Sequence, residues 1–268
     1  MQVYRGMDIG TAKPSTADRV RVIHHMIDLV DPEVPYSVAE FQQEGRRVLE
    51  ELIGLDTTVL ITGGSGLHFR ALVDPLDFPP HDPDLRAGIE AAGSATNRDR
   101  LLQIDPGVAE VLDLANPRRV ERALEVYELT GATPTSRASL PESMAVAGYQ
   151  SMVPFTAVGV DPGAELAGRV DNRWKSMLEA GFLKEVAGLA GSLGPTAMEA
   201  VGYKQLLPVL RGEATEEQGG AEAKRATMGL AKRQRTYFRR DPRIEWVPWS
   251  GDPDERYEQV KRCLVAQT

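Results

Sequence analysis

TVLITGGSGLHFRA, residues 58–71, joins a β-branched apolar run to a glycine turn and then to an apolar-rich segment of helical character. Thr57–Thr62 has the composition of a short strand buried on both faces. Gly63-Gly64-Ser65-Gly66 then turns the chain tightly into a helix. A strand, a glycine turn and a helix in that order are the grammar of an α/β protein. Glycines let backbone N–H groups approach a ligand, the helix N-terminus that follows attracts an anion, and Ser65 adds a hydroxyl. The same residues would equally serve a plain tight turn. No Gly-Lys-Ser/Thr follows, so the stretch is not a Walker A loop, and its spacing is not the GxGxxG of dinucleotide sites.

Upstream, Ser37-Val-Ala-Glu40 spells a capping box, and Phe41, Val48, Leu49 and Leu52 repeat with helical period, predicting a helix over about residues 38–53. Downstream, the proline-rich DPLDFPPHDP opens about seventy residues of helix-like sequence. There Asn116 can cap a helix with Pro117 at its first position, Val120, Leu124 and Tyr127 form its apolar stripe, and Gly131 closes it. Residues 133–151 read as a loose loop. PFTAVGV then reads as a second buried strand, with Asp161-Pro162 starting a long helix that ends at Gly181. A helical stretch bracketed by α/β segments is an insertion. The expected architecture is therefore a parallel-sheet α/β core of residues 1–84 and 155–268 around a helical subdomain of residues 85–154.

The 268 residues carry a net charge of −8 and contain no apolar run long enough to span a bilayer, so a cytoplasmic protein without membrane association is expected. The lone cysteine, Cys263, excludes an internal disulfide and a cysteine-rich zinc site. Net acidity argues against indiscriminate nucleic-acid binding, but the charge is uneven. Between Lys224 and Arg240 stand Lys224, Arg225, Lys232, Arg233, Arg235, Arg239 and Arg240 with no acid among them. Such an asymmetry suits an acidic protein with one side facing a polyanion.

Arg118, Arg119 and Arg122 fall in the first turns of their helix, where positive charge opposes the macrodipole and an anion would offset it. Arg118 and Arg122 share a face and could grip successive phosphates; pairing with Glu121 and Glu125 is the alternative. Arg173 lies beside the stripe Leu166, Val170, Trp174 and Met177, a placement that calls for a phosphate or a carboxylate partner. Arg225, Lys232, Arg235 and Arg239 recur at near-helical spacing, as a polyanion-binding face or a solvated one would. His24 and His25 are adjacent and lack a ligand-spaced carboxylate or histidine, which favours local packing over metal binding.

Six blocks, MQVYRGMDIGTAKP, HHMIDLVDPEVPYSVAEF, GGSGLHFRALV, RRVERALEVYELTG, AVGYKQL and AKRQRTYFRRDPRIEW, resemble in the same order the signature blocks of the tRNA dimethylallyltransferase (tRNA isopentenyltransferase) family. The resemblance spans nearly the whole chain and implies a P-loop NTPase-like core. Family members place a strand, a P-loop, a helix and a strand ending in Asp-Ser directly before the Met-Gln found here as Met1-Gln2. The resemblance thus implies that a few dozen residues are lacking, through a misassigned start or a shortened gene product. Without a central parallel strand, its neighbours would expose ladder groups and apolar faces.

The reaction so implied moves a dimethylallyl group from its diphosphate to the exocyclic amine of the adenosine just 3′ of the tRNA anticodon. Such a site must neutralise a departing diphosphate and hold two reactants in line. The resemblance implies that Gly63, Gly64 and Arg173 bind the diphosphate with help from Mg2+, that Ser65 places its hydroxyl at the reacting centre, and that an upstream aspartate serves as base. It also implies that Gln2 contacts the target adenosine, and that Arg118, Arg119, Arg122, Val201, Gly202, Tyr203 and Lys204 contact the anticodon stem-loop, in a monomeric enzyme. Leu114-Ala115-Asn116 replaces the family's Pro-Asn-Asp, and Thr227-Met228 its Thr-Arg, which touches fine tRNA contacts. Two other classes fit parts of the chain: a tRNA-binding protein without catalysis, and a P-loop kinase of a small acceptor, although such a kinase has no need of so long a basic stripe.

Overall fold

Ser37 opens a helix as its spelling requires: its hydroxyl accepts from the Glu40 N–H at 3.2 Å while the Glu40 carboxylate takes the Ser37 N–H at 2.7 Å. In the computed structural model, which describes residues 1–265, α1 spans Thr16–Arg21, α2 Val38–Gly54 and α3 Gly66–Val73. Helices α4 (Pro83–Ala91), α5 (Ser94–Ile104), α6 (Pro117–Thr130), α7 (Pro134–Ala138) and α8 (Pro141–Ala147) follow. Strand β1 (Ala157–Val160) leads through a 3-10 turn into α9 (Leu166–Glu179), α10 (Phe182–Leu189), α11 (Pro195–Met198), α12 (Tyr203–Leu210) and α13 (Glu216–Phe238). Strand β2 (Ile244–Val247) and α14 (Pro253–Val265) complete the chain's described elements.

Two compact units result, Met1–Leu72 joined with the chain from Phe155 onward, and Val73–Pro154. In the first, β1 and β2 pair in parallel, Ala157 opposite Ile244 and Val160 opposite Val247. A single parallel bridge links Tyr4 to Val30. Tyr4, Met7, Phe182, Val186, Tyr203 and Leu206 are the buried centre of this unit. It is the period of the apolar residues on α10 and α12, together with the opening residues, that makes this core.

The second unit is helical. Ile89, Leu101, Val108, Val120 and Leu124 are its core, so the stripe of α6 packs as its period requires, and Gly131 ends that helix with φ +73°. Beneath α6 lies a buried charge network. Glu125, 1% exposed, accepts from His81 Nδ1 at 2.7 Å, from the Asp82 N–H at 2.9 Å and from Arg122 Nη1 at 2.9 Å, while Arg86 binds Glu121 at 2.9 Å.

Thr57–Thr62 departs from expectation. It lies in no strand or ladder, and Leu60 and Ile61 are 72% and 40% exposed. An apolar run becomes a buried strand only where neighbours take its N–H and C=O groups, and the sheet among the described residues is the β1–β2 pair alone. The expected loop of residues 133–151 holds α7 and α8 instead, each begun by a proline at its first turn, a start signal that the loop reading passed over. The helix expected from Asp161-Pro162 begins as the 3-10 turn Gly163–Glu165.

Candidate functional site

The glycine turn is built against the basic helix. A Cβ on Gly64 would overlap the carboxamide of Gln234, and one on Gly66 would overlap the Tyr237 ring, so these glycines let α13 come close. Gly63 has open space around it. Ser65 is exposed at the mouth of α3, its Oγ 2.7 Å from His68 Nδ1. The His68 ring stands edge-on to Phe41 at 4.7 Å, and burial pushes its imidazole below the ordinary value, so the ring is neutral near pH 7. Arg173, on α9, is exposed and without a partner among the described residues.

The basic stripe is partly spent. Asp161, directly after β1, binds Arg235 at 2.6 Å and Arg239 at 3.0 Å, Asp171 holds Lys224 at 2.9 Å, and Glu222 holds Arg225 at 3.3 Å. Within residues 224–240 there is no acid, but two of these partners come from other elements, which local sequence does not reveal. Lys232, Arg233 and Arg240 keep no carboxylate partner among the described residues. Arg225 and Arg233 line a shallow groove of about 470 Å³ with Val201, Gln205, Glu222 and Gly229.

The four residues of the Val201–Lys204 stretch have different roles in the structure. Val201 lines that groove, and Lys204 is exposed with Nζ 2.7 Å from Glu199. Gly202 holds φ +96° against the Phe182 ring, a backbone state that favours glycine. Tyr203 is fully buried, and its hydroxyl donates to Glu185. Burial first, and Glu185 beside it, raise the phenol far above its ordinary value, so it stays a donor. Tyr203 therefore has no surface to offer RNA.

Gln2 is half-buried, its Nε2 donating to the carbonyls of Thr11 and Ala12 at 3.0 Å each. In the helical unit Arg118 and Arg119 are exposed at the start of α6 and unpaired among the described residues. Arg122 is not free: it donates to the carbonyls of Pro79 at 2.7 Å and Pro80 at 2.9 Å as well as to Glu125. Glu185, Asp161 and His68 are contributors that the sequence did not single out. A lone acid on an amphipathic helix, an acid at a strand end and a histidine inside a helix carry no local signal of a partner.

One α/β unit thus carries a glycine turn at a helix N-terminus, an exposed arginine without a partner among the described residues, and a cationic helix. A family model described as IPP transferase matches residues 2–241, and the chain belongs to that family. It is similar to the tRNA dimethylallyltransferase of Bifidobacterium longum, 42% identical over 251 residues, covering 92% of this chain and 74% of that protein. The tRNA dimethylallyltransferase of Streptomyces griseus is 41% identical over 273 residues, covering 99% and 84%. The crystal structure of the tRNA isopentenylpyrophosphate transferase of Bacillus halodurans superposes with a TM-score of 0.68 at 31% identity over 99% of this chain and 85% of that one. A eukaryotic dimethylallyltransferase acting on tRNA superposes at 0.76 with 22% identity over 100% and 71%, a likeness of fold. The fold is the P-loop NTPase-like α/β fold of these transferases, although most of the described residues outside loops are helical.

Proposed function

We propose that this chain is a tRNA dimethylallyltransferase that moves a dimethylallyl group from dimethylallyl diphosphate to the exocyclic amine of the adenosine 3′ of the anticodon. One observation carries the reading: the turn Gly63–Gly66 lies against α13, so a helix with the free cations Lys232 and Arg233 backs an anion-ready turn within one unit. In the transfer the amine nitrogen bonds to the allylic carbon while the carbon–oxygen bond breaks and the diphosphate keeps the pair, and the proton that the nitrogen sheds passes to water. Gly63, Gly64 and Arg173 receive that growing charge, and Ser65 presents its hydroxyl beside it. Gln2 meets the adenine, and Arg118, Arg119, Val201 and Lys204 offer accessible surface to the anticodon stem-loop, whereas Arg122 is tied to Pro79, Pro80 and Glu125 and Gly202 and Tyr203 are buried.

The described residues gather no group of three His, Cys, Asp or Glu side chains for a metal. Mg2+ would be held chiefly through the substrate's diphosphate, with the Ser65 hydroxyl at the turn as a protein oxygen for it. When bound, the ion supplies charge neutralisation to the leaving group. Among the described residues no helix is long and apolar enough to cross a membrane.

The test is to mix the protein with an anticodon stem-loop and dimethylallyl diphosphate, and to follow binding and RNA mass. Salt-sensitive binding and a mass gain of one dimethylallyl group, absent when guanosine replaces the target adenosine, are expected. A protein that ignores the stem-loop and leaves its mass unchanged would refute the reading.

A further inference from the structure

Three successive backbone N–H groups, those of Asp8, Ile9 and Gly10, converge on one side chain. Glu185 Oε2 accepts from Asp8 at 3.0 Å and from Ile9 at 2.8 Å, while Oε1 accepts from Gly10 at 3.1 Å and also from the Tyr203 hydroxyl. Consecutive amides pointing to one spot form an anion-binding concavity, and here the anion is supplied from α10 by the chain itself. Four donors need an acceptor-only group with two oxygens, which is a carboxylate. Gly10 has no room for a side chain, because a Cβ would overlap the rings of Phe182 and Tyr203, so the turn sits at the closest approach the backbone allows.

What the clamp holds in place is the far side of the same turn. Ala12 N–H donates to Ile9 at 3.1 Å and Lys13 N–H to Asp8 at 3.0 Å, with Ala12 at φ +52°. Lys13, its side chain 1% exposed, fastens the exit by donating to the Tyr4 carbonyl at 2.5 Å, Asp8 at 2.7 Å and Asp28 at 2.6 Å. The carbonyls of Thr11 and Ala12 are thereby aimed at Gln2. Carbonyl oxygens can only accept, so both protons of Gln2 Nε2 are taken and the orientation of its carboxamide is settled by chemistry. Gln2 Oε1 is left without a partner among the described residues.

We infer that Glu185 is a positioning residue for base selection: through the 8–12 turn it locks the Gln2 carboxamide so that Oε1, an acceptor, meets the amino group of the target adenine. The inference rests on the proposed tRNA substrate, and it goes further by giving the selecting atom and the side chain that aims it. An acceptor at this point rewards a 6-amino purine and gives nothing to a purine lacking that group.

The experiment compares stem-loops carrying adenosine or purine riboside at the target position, alongside hydrogen exchange of the Asp8, Ile9 and Gly10 amides. The unaltered protein should prefer adenosine by about five- to tenfold and protect all three amides. Glu185→Gln keeps one acceptor oxygen and places an N–H against the amides, so exchange should quicken at least tenfold and the preference should fall toward one. Tyr203→Phe removes one donor of four and should move both readouts partway, serving if Glu185→Gln does not fold. Gln2→Leu, which removes the acceptor, should abolish the preference with the amides still protected. Faster exchange in Glu185→Gln with the preference intact would make Glu185 merely structural and overturn the inference, as would no preference in the unaltered protein. Protected amides with no stem-loop bound at all would refute the substrate reading, and base selection with it, while leaving the clamp itself demonstrated.

Discussion

The Asp161 carboxylate meets Arg235 at 2.6 Å, tying the end of β1 to the basic face of α13. Burial alone would raise the Asp161 pKa, but the Gly163 N–H, Arg235 and Arg239 together hold it below the ordinary carboxylate value. Arg235 and Arg239 are thus committed to the fold as much as to any RNA, whereas Lys232, Arg233 and Arg240 are uncommitted. Alanine at Lys232, Arg233 or Arg240 should weaken stem-loop binding and lower its salt slope by about one per lost phosphate contact, with the thermal midpoint unchanged. Alanine at Arg235 should lower the midpoint as well. Titrations at several salt concentrations, paired with melting curves, separate the two groups.

The arginines of α6 divide in the same way. Arg118 and Arg119 make no hydrogen bond or ion pair among the described residues, so replacing either by alanine should flatten the salt dependence of stem-loop binding without loss of stability. Arg122 holds two proline carbonyls and the buried Glu125, and its loss should cost about 1–3 kcal/mol of unfolding free energy. Urea unfolding of the three single variants is the measurement.

These pairs show where the sequence was legible. The Ser37 capping box and the Pro117 to Gly131 helix are local devices, written in residues three to fourteen positions apart, and the structure reproduces both. Thr57–Thr62 has the right residues for a buried strand, but burial is conferred by neighbouring strands, which a run of six residues does not specify. Arg118 and Arg122 look alike in sequence and differ because the Pro79-Pro80 backbone and Glu125 lie beside one of them. The resemblance of AVGYKQL to a family block implies Tyr203 as a contact residue, yet its phenol is turned to Glu185, 18 residues earlier.

Glu125 gives the helical unit a defined acid limit. Burial raises its pKa, but the Asp82 N–H, Arg122 and His81 outweigh this and bring it from 4.5 to about 2. A depressed carboxylate stabilises the fold fully above its unfolded value and loses that contribution as pH falls, here between about pH 4.5 and about pH 2. Glu125→Gln should cost about 2–3 kcal/mol at neutral pH and remove most of the acid-dependent loss of stability in that window. Denaturation midpoints followed from neutral pH to pH 2 check both.

Ser65 and Arg173 separate chemistry from stability, because neither supports the core. Ser65→Thr keeps a hydroxyl and should retain transfer, while Ser65→Ala should slow it. Arg173→Ala should cost on the order of 2–4 kcal/mol of transition-state stabilisation, as loss of a preorganised charge donor does, with no change in melting. Single-turnover transfer rates with each variant are decisive, and full activity after loss of Arg173 would remove it from the site.

Gly10 tests the turn behind Gln2 by volume alone. An added Cβ would overlap the Phe182 and Tyr203 rings, both fully buried, and rings so enclosed have nowhere to rotate. Gly10→Ala must therefore lift the turn off Glu185 or push the rings into the core, at a cost of about 1–3 kcal/mol. Gly168, inside α9, has open space and an ordinary helical backbone, so Gly168→Ala should stabilise the same unit by roughly 0.5–1 kcal/mol. The two changes add the same atoms to one unit and should move the thermal midpoint in opposite directions. In Gly10→Ala the displaced Thr11 and Ala12 carbonyls should also release Gln2, so stem-loop affinity falls with stability, whereas Gly168→Ala leaves affinity unaltered. Equal melting of the two variants would show that the turn yields without strain, and that Gly10 is not what holds it in place.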